Sequence, residues 1–128
     1  MKVLDEAEIL RETADRFIAS TADSMGVRLA YDEESLKWVD DFLSRTREEY
    51  SEEQREQLTA MVGAYLGECV VKNFGGAWEL DEYGWAVHFD EANAVYPFSK
   101  TWKHLENGPE DSIHSLYTSI PILFKIQK

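Results

Sequence analysis

"YLGECVVKNFGGAWELDEYGWAV", residues 65–87, is where the hydrophobic period of the chain changes. Up to Asn73, Leu58, Met61, Val62, Tyr65, Leu66, Cys69 and Val70 fall three and four residues apart, the spacing that stacks side chains on one face of a helix. Gly75 and Gly76 then offer a left-handed stop without a Cβ penalty. Beyond them the period drops to two. Trp78 and Leu80 form a short run, DEYG (81–84) reads as a turn, and Trp85, Val87 and Phe89 alternate with Ala86 and His88. The stretch is first of all a joint between helix and sheet, and secondarily the segment best suited to hold a partner.

On its amino-terminal side, SEEQ (51–54) has the capping-box arrangement that starts the joint's helix. A preceding helix is expected to begin after Asp32 and run to about Tyr50, with Leu36, Val39, Phe42 and Leu43 buried and Trp38 at the edge. Residues 5–24 carry Ile9, Leu10, Ala14, Phe17 and Ile18 on one helical face, with Gly26 as the stop. VRLAY (27–31) between them is either a brief strand or an extended linker. On the carboxyl-terminal side, Asp90 to Asn93 makes a second turn before AVYPF (94–98), a third strand with Pro97 at an edge or end. SKTWKHLENG (99–108) reads as one or two helical turns with a Ser cap. PEDSIHSLY then opens a helix that Pro121 is expected to break, and ILFKI (122–126) is either a last strand or a tail over the core. The expected fold is α+β: three N-terminal helices packed on a small antiparallel three-stranded meander, followed by short C-terminal helices, in a single domain over 1–128.

The 128 residues suffice for one core, and 44% hydrophobic with 30% charged residues excludes the disordered and collagen-like classes. Cys69 is the sole cysteine, which excludes an intramolecular disulfide and a cysteine-based zinc site and fits a reducing cytoplasm. The start, MKVLDEAEILRET, turns acidic too early for a secretory signal, and no run reaches the ~18 apolar residues of a membrane helix, so a soluble cytoplasmic protein is expected. Twenty-five acids against thirteen bases leave a net charge of −12. That excess repels a phosphate backbone, so no nucleic-acid partner is expected; the sharper expectation is a protein partner with a basic surface. Nucleic-acid mimicry would need the carboxylates arranged in rows.

His88, His104 and His114 lack the spacing of paired metal ligands, and no phosphate-binding loop, dinucleotide fingerprint or nucleophile elbow occurs. No metal, cofactor or catalytic residue is therefore assigned. Cys69, beside Val70 on an apolar face, reads as an inert buried thiol. Glu68 on the same helix is a carboxylate near the core boundary. It needs partners there, and the indole N–H of Trp78 or Trp85, or Lys72 one turn along, can supply them. Anchoring the helix to the sheet is its first role, and general acid–base work with His88 or His104 the alternative. Phe74, Trp78, Tyr83, Trp85, Phe89, Tyr96, Phe98 and Trp102 are mostly core by type. If the sheet is covered on one side, Trp78 and Trp85 or Tyr96 and Phe98 are left exposed inside a rim of Glu79, Asp81, Glu82, Asp90 and Glu91. The candidate binding residues are Glu68, Trp78, Tyr83 and Trp85.

YLGE (65–68), GG-x-W (75–78), GW-x-V (84–87), PF-x-K (97–100) and NG-x-EDSI (107–113) together resemble a family of small uncharacterised bacterial domains, over residues 58–117. The resemblance implies caps, turns and packing aromatics, and no activity. Two function classes fit these residues: a noncatalytic interaction protein of the regulator or immunity type with a basic partner, and a small enzyme using Glu68.

Overall fold

The computed structural model describes residues 5–127; Met1 to Leu4, part of the amino terminus read above, and Lys128 lie outside them. Helix α1 (Glu6–Met25) starts at Asp5, whose side chain accepts from the Glu8 N–H, and stops at Gly26. Its buried residues are Ala14, Phe17 and Thr21, while Ile9, expected on the buried face, is 42% exposed. VRLAY is an extended linker: Leu29 is buried, and the Ala30 and Tyr31 carbonyls accept from Tyr65 Oη at 2.6 Å and Asn73 Nδ2 at 2.8 Å. Those two bonds satisfy the backbone that a sheet partner would otherwise have paired.

Helix α2 (Glu33–Thr46) is capped by Asp32 and tightens into a 3₁₀ turn, Arg47–Glu49. Helix α3 (Glu52–Phe74) begins with the full reciprocal capping box of Ser51 and Gln54 and ends at Gly75, whose φ of 84° disfavours any residue with a Cβ. Strands β1 (Ala77–Asp81), β2 (Gly84–His88) and β3 (Ala94–Val95) form the antiparallel meander in the order β1-β2-β3. Asp81 pairs with Gly84, leaving Glu82 and Tyr83 as the hairpin tip.

Helix α4 (Pro97–Asn107) shortens the expected third strand, which is present as β3 but ends at Val95. The Tyr-Pro-Phe step is not extended: Pro97 is the first residue of a three-turn helix, where its fixed φ suits the turn and its missing N–H has no acceptor to lose. After a 3₁₀ turn (Gly108–Asp111) comes α5 (Ile113–Leu123), which Pro121 does not break. So near the end it forfeits one backbone bond, and Phe124 N–H still reaches the Ile120 carbonyl at 3.0 Å. Phe124 and Ile126 then lie against the core, so the final segment is a tail and not a strand.

The α+β class is thus as expected. Helices α1 and α4 both pack on α3, α2 packs on α5, and β2 rests on α3 and α4. One apolar cluster runs through these layers, centred on the fully buried Tyr65, Leu66, Val70, Leu105, Ile113 and Tyr117.

Candidate functional site

The joint between α3 and the sheet is built on absent side chains. Gly63 and Gly67 lie one turn apart on α3, and a Cβ on either would stand inside the ring of Phe98 or of Trp78, respectively. The two rings, 5.7 Å apart, therefore lie directly on the helix backbone. Placed there, Trp78 Nε1 donates to Glu68 Oε2 at 2.9 Å. Glu68 is 2% exposed, and its other oxygen faces Arg11 Nε at 3.8 Å and Lys72 Nζ at 3.9 Å. Of the expected partners Trp78 and Lys72 take the role and Trp85 does not; Arg11, from a helix far away in sequence, was not expected. Lys72 also caps the Tyr31 ring at 4.9 Å, and Tyr31 stacks on Tyr65, so carboxylate, cation and rings interlock α1, the linker, α3 and β1. One helical step on, Cys69 is fully buried, and burial pushes its thiol up to about 12, which leaves it protonated and inert.

The enzyme alternative asked for a histidine beside Glu68. His88 lines a cleft of about 340 Å³ together with Asp81, Glu82, Tyr83, Glu91 and Tyr96, and Glu68 is not among its walls. Its Nε2 is 3.0 Å from Asp81 Oδ2, and its Nδ1 is 3.5 Å from Glu79 Oε2. Tyr96 Oη donates to the same Asp81 oxygen at 2.6 Å. That bond holds the Asp81 carboxyl below its ordinary range and pushes the Tyr96 phenol up to about 12.

His104 is wholly buried, with Nε2 2.7 Å from Ser44 Oγ and Nδ1 3.7 Å from Asp40 Oδ2. Serine, histidine and aspartate in line have the composition of a nucleophilic relay, but the protons run the wrong way. The Ile113 N–H donates to Nδ1 at 3.3 Å, so Nδ1 carries the lone pair and Nε2–H donates to Ser44. A ring that gives its proton to serine cannot take serine's proton. Burial keeps this imidazole neutral by lowering its pKa. Asp40 is occupied elsewhere: it accepts from Ser112 Oγ and, at 2.9 Å, from the His114 N–H, neutralising the amino-terminal end of α5. The cluster ties α2, α4 and α5 together. Among the described residues no group of histidine, cysteine and carboxylate ligands is arranged to hold a metal ion.

The candidate binding residues divide into two sets. Glu68 and Trp78 are brought together as the internal anchor. Tyr83, at the hairpin tip, is 77% exposed, and Trp85, half-buried, pairs across the hairpin with Leu80, which is 64% exposed. The expected patch is therefore corrected in membership. Trp78 and Phe98 are drawn in by the glycine contacts and Tyr96 by Asp81, and on the hairpin Leu80 and Tyr83 are exposed while Trp85 is half-buried. Glu79 and Glu82 on the same hairpin are exposed, Glu79 on the opposite strand face beside His88. Sequence reasoning named Asp81 and Tyr96 only as rim and patch residues, not as partners, and passed over Asp40, Ser44, Gly63 and Gly67; the four-residue spacing of the two glycines on the apolar stretch of α3 was the one available signal.

No helix among the described residues is long and apolar enough to cross a membrane. Residues 1–95, three quarters of the chain, match the model of a family of unknown function (DUF6278), and the chain belongs to it. The match takes in the first two helices, which the YLGE and GG-x-W resemblance left out, and ends before PF-x-K and NG-x-EDSI, so those motifs are not what defines the family here. No curated protein and no solved structure matches the chain.

Proposed function

We propose that this member of a family of unknown function is a noncatalytic interaction protein of a bacterial cytoplasm, of the regulator or immunity type, whose partner carries a basic surface. The observation that carries the reading is the β1–β2 hairpin. Leu80 and Tyr83 are exposed on one hairpin that also carries the half-buried Trp85 and the exposed Glu79 and Glu82, on a chain of net charge −12. Exposed apolar side chains among carboxylates suit an interface that buries rings and steers cations. Glu68 serves as an anchor in this reading, because Trp78, Arg11 and Lys72 already occupy its oxygens. The buried Cys69 fits a reducing compartment.

The test uses two baits, the wild-type chain and the Leu80→Ser, Tyr83→Ser double variant, in affinity capture from the native host. The expected result is a basic protein retained by the wild type, released as salt is raised, and lost from the variant. An identical captured set from both baits would overturn the assignment of this hairpin.

A further inference from the structure

A second cleft, of about 360 Å³, opens on the other side of Tyr83 between β3, α4 and α5. Its apolar surface comes from Val95, Leu116 and Phe124, its aromatic corner from Tyr83 and Tyr96, and its cationic rim from Lys100 and Lys103. The charge of these walls is inverted relative to the rest of the molecule. Acids outnumber bases by twenty-five to thirteen in the chain, yet the walls carry two lysines and no carboxylate.

The walls are also fixed in place. Tyr83 meets Tyr96 edge to face with centroids 6.2 Å apart, and Phe124 packs on Phe89 at 5.3 Å. Tyr96 Oη is committed to Asp81, so its ring serves as a surface and not as a donor. Lys100 and Lys103 are three apart on α4 and share a face. Lys100 Nζ lies 3.4 Å from Asp111, a contact that uses one of its three donors, and Lys103 makes no ion pair within 4 Å among the described residues, although its charge also acts on Asp111.

We propose that this cleft binds a small monocarboxylate with an apolar body, the carboxylate on Lys100 and Lys103 and the body against Tyr83, Leu116 and Phe124. The volume falls at the lower end of the range for small-molecule sites, and the lining, mostly apolar with a few convergent polar groups, is of the kind such sites share. The acidic cleft of His88 and Asp81 shares Tyr83, Ala94 and Tyr96 with this one, but its other walls carry Asp81, Glu82 and Glu91, which a carboxylate would avoid.

Titration of the isotopically labelled full chain by amide NMR tests the assignment. The probes are 4-phenylbutyrate and decanoate, for an aryl and an alkyl body, with 4-phenylbutanol and 4-phenylbutylamine as the neutral and cationic counterparts. The expected result is shifts at the amides of Lys100, Lys103, Leu116 and Phe124, with a carboxylate bound roughly tenfold more tightly than the alcohol and the amine not at all. Lys100→Gln with Lys103→Gln should bring the carboxylate to the level of the alcohol. Lys103→Gln alone, which breaks no close ion pair among the described residues, should give part of that loss. Equal binding of acid and alcohol, shifts centred elsewhere, or a double variant that binds as the wild type does would each overturn the proposal; so would the failure of both carboxylates to bind.

Discussion

Trp78 and Glu68 satisfy one another at 2.9 Å, an indole N–H from the sheet meeting a buried carboxylate from the helix. Removing the acceptor should be costly. Glu68→Ala is expected to lower stability by about 2–3 kcal/mol, since it deletes a hydrogen bond to a charged group and strands the indole N–H. Glu68→Gln keeps an acceptor and loses ion pairs whose cations are about half-exposed, so its cost should be about 1 kcal/mol or less. Urea unfolding of the two variants checks both figures.

Gly67→Ala should destabilise, although alanine is the better helix former by about 1 kcal/mol. The added methyl meets the Trp78 ring and must push it off the helix, an overpacking cost of about 1–3 kcal/mol that the propensity gain offsets only in part. A red shift of tryptophan emission, reporting indole moved toward water, should accompany the fall in Tm. Gly63→Ala should displace Phe98 in the same way with less effect on emission.

Stability should decline as pH falls below about 6.5, the ordinary value for histidine. His104 has a lowered pKa when folded, so between that value and 6.5 the unfolded chain binds more protons and stability rises with pH. The contribution is complete above 6.5 and lost as pH drops toward the folded value. Urea midpoints from pH 7.5 to 5 measure this slope, which His104→Gln should flatten while lowering stability throughout.

Tyr96→Phe should raise the pKa of Asp81 toward its ordinary 3.8, because the phenol hydrogen bond is the first cause of its depression. A depressed carboxylate stabilises the fold above its unfolded pKa, and that contribution disappears as pH falls through the folded one. Carboxyl-carbon NMR titration of both proteins reads the shift directly. An unchanged Asp81 would mean that His88 and the Tyr83 N–H carry the effect.

What could be read from the sequence was local. Asp32, the Ser51 and Gln54 box, Gly26 and Gly75 act within a turn of their own positions, so their chemistry announces the ends of helices. The joint was legible because the hydrophobic period changes there, and Glu68 because an acid on an apolar face demands a donor nearby. Pro97 misled because its fixed φ suits the first turn of a helix as well as a sheet edge. The links among Asp40, Ser112 and His104, and between Tyr96 and Asp81, join residues whose proximity depends on how the helices and the hairpin dock. Which rings stay in solvent was decided by the two glycines of α3, whose lack of side chains a hydropathy pattern records only as a gap.

The slot that Gly63 and Gly67 leave on α3 also acts as a keyway for strand pairing. Leu80 follows Trp78 on the same face of β1, so sliding the strand by two residues would seat leucine in a recess shaped for an indole and deprive Glu68 of its donor. A short hairpin has few backbone bonds with which to hold its alignment. Here a single large side chain indexes it against the helix, and the tip bearing Tyr83 is presented at one fixed position.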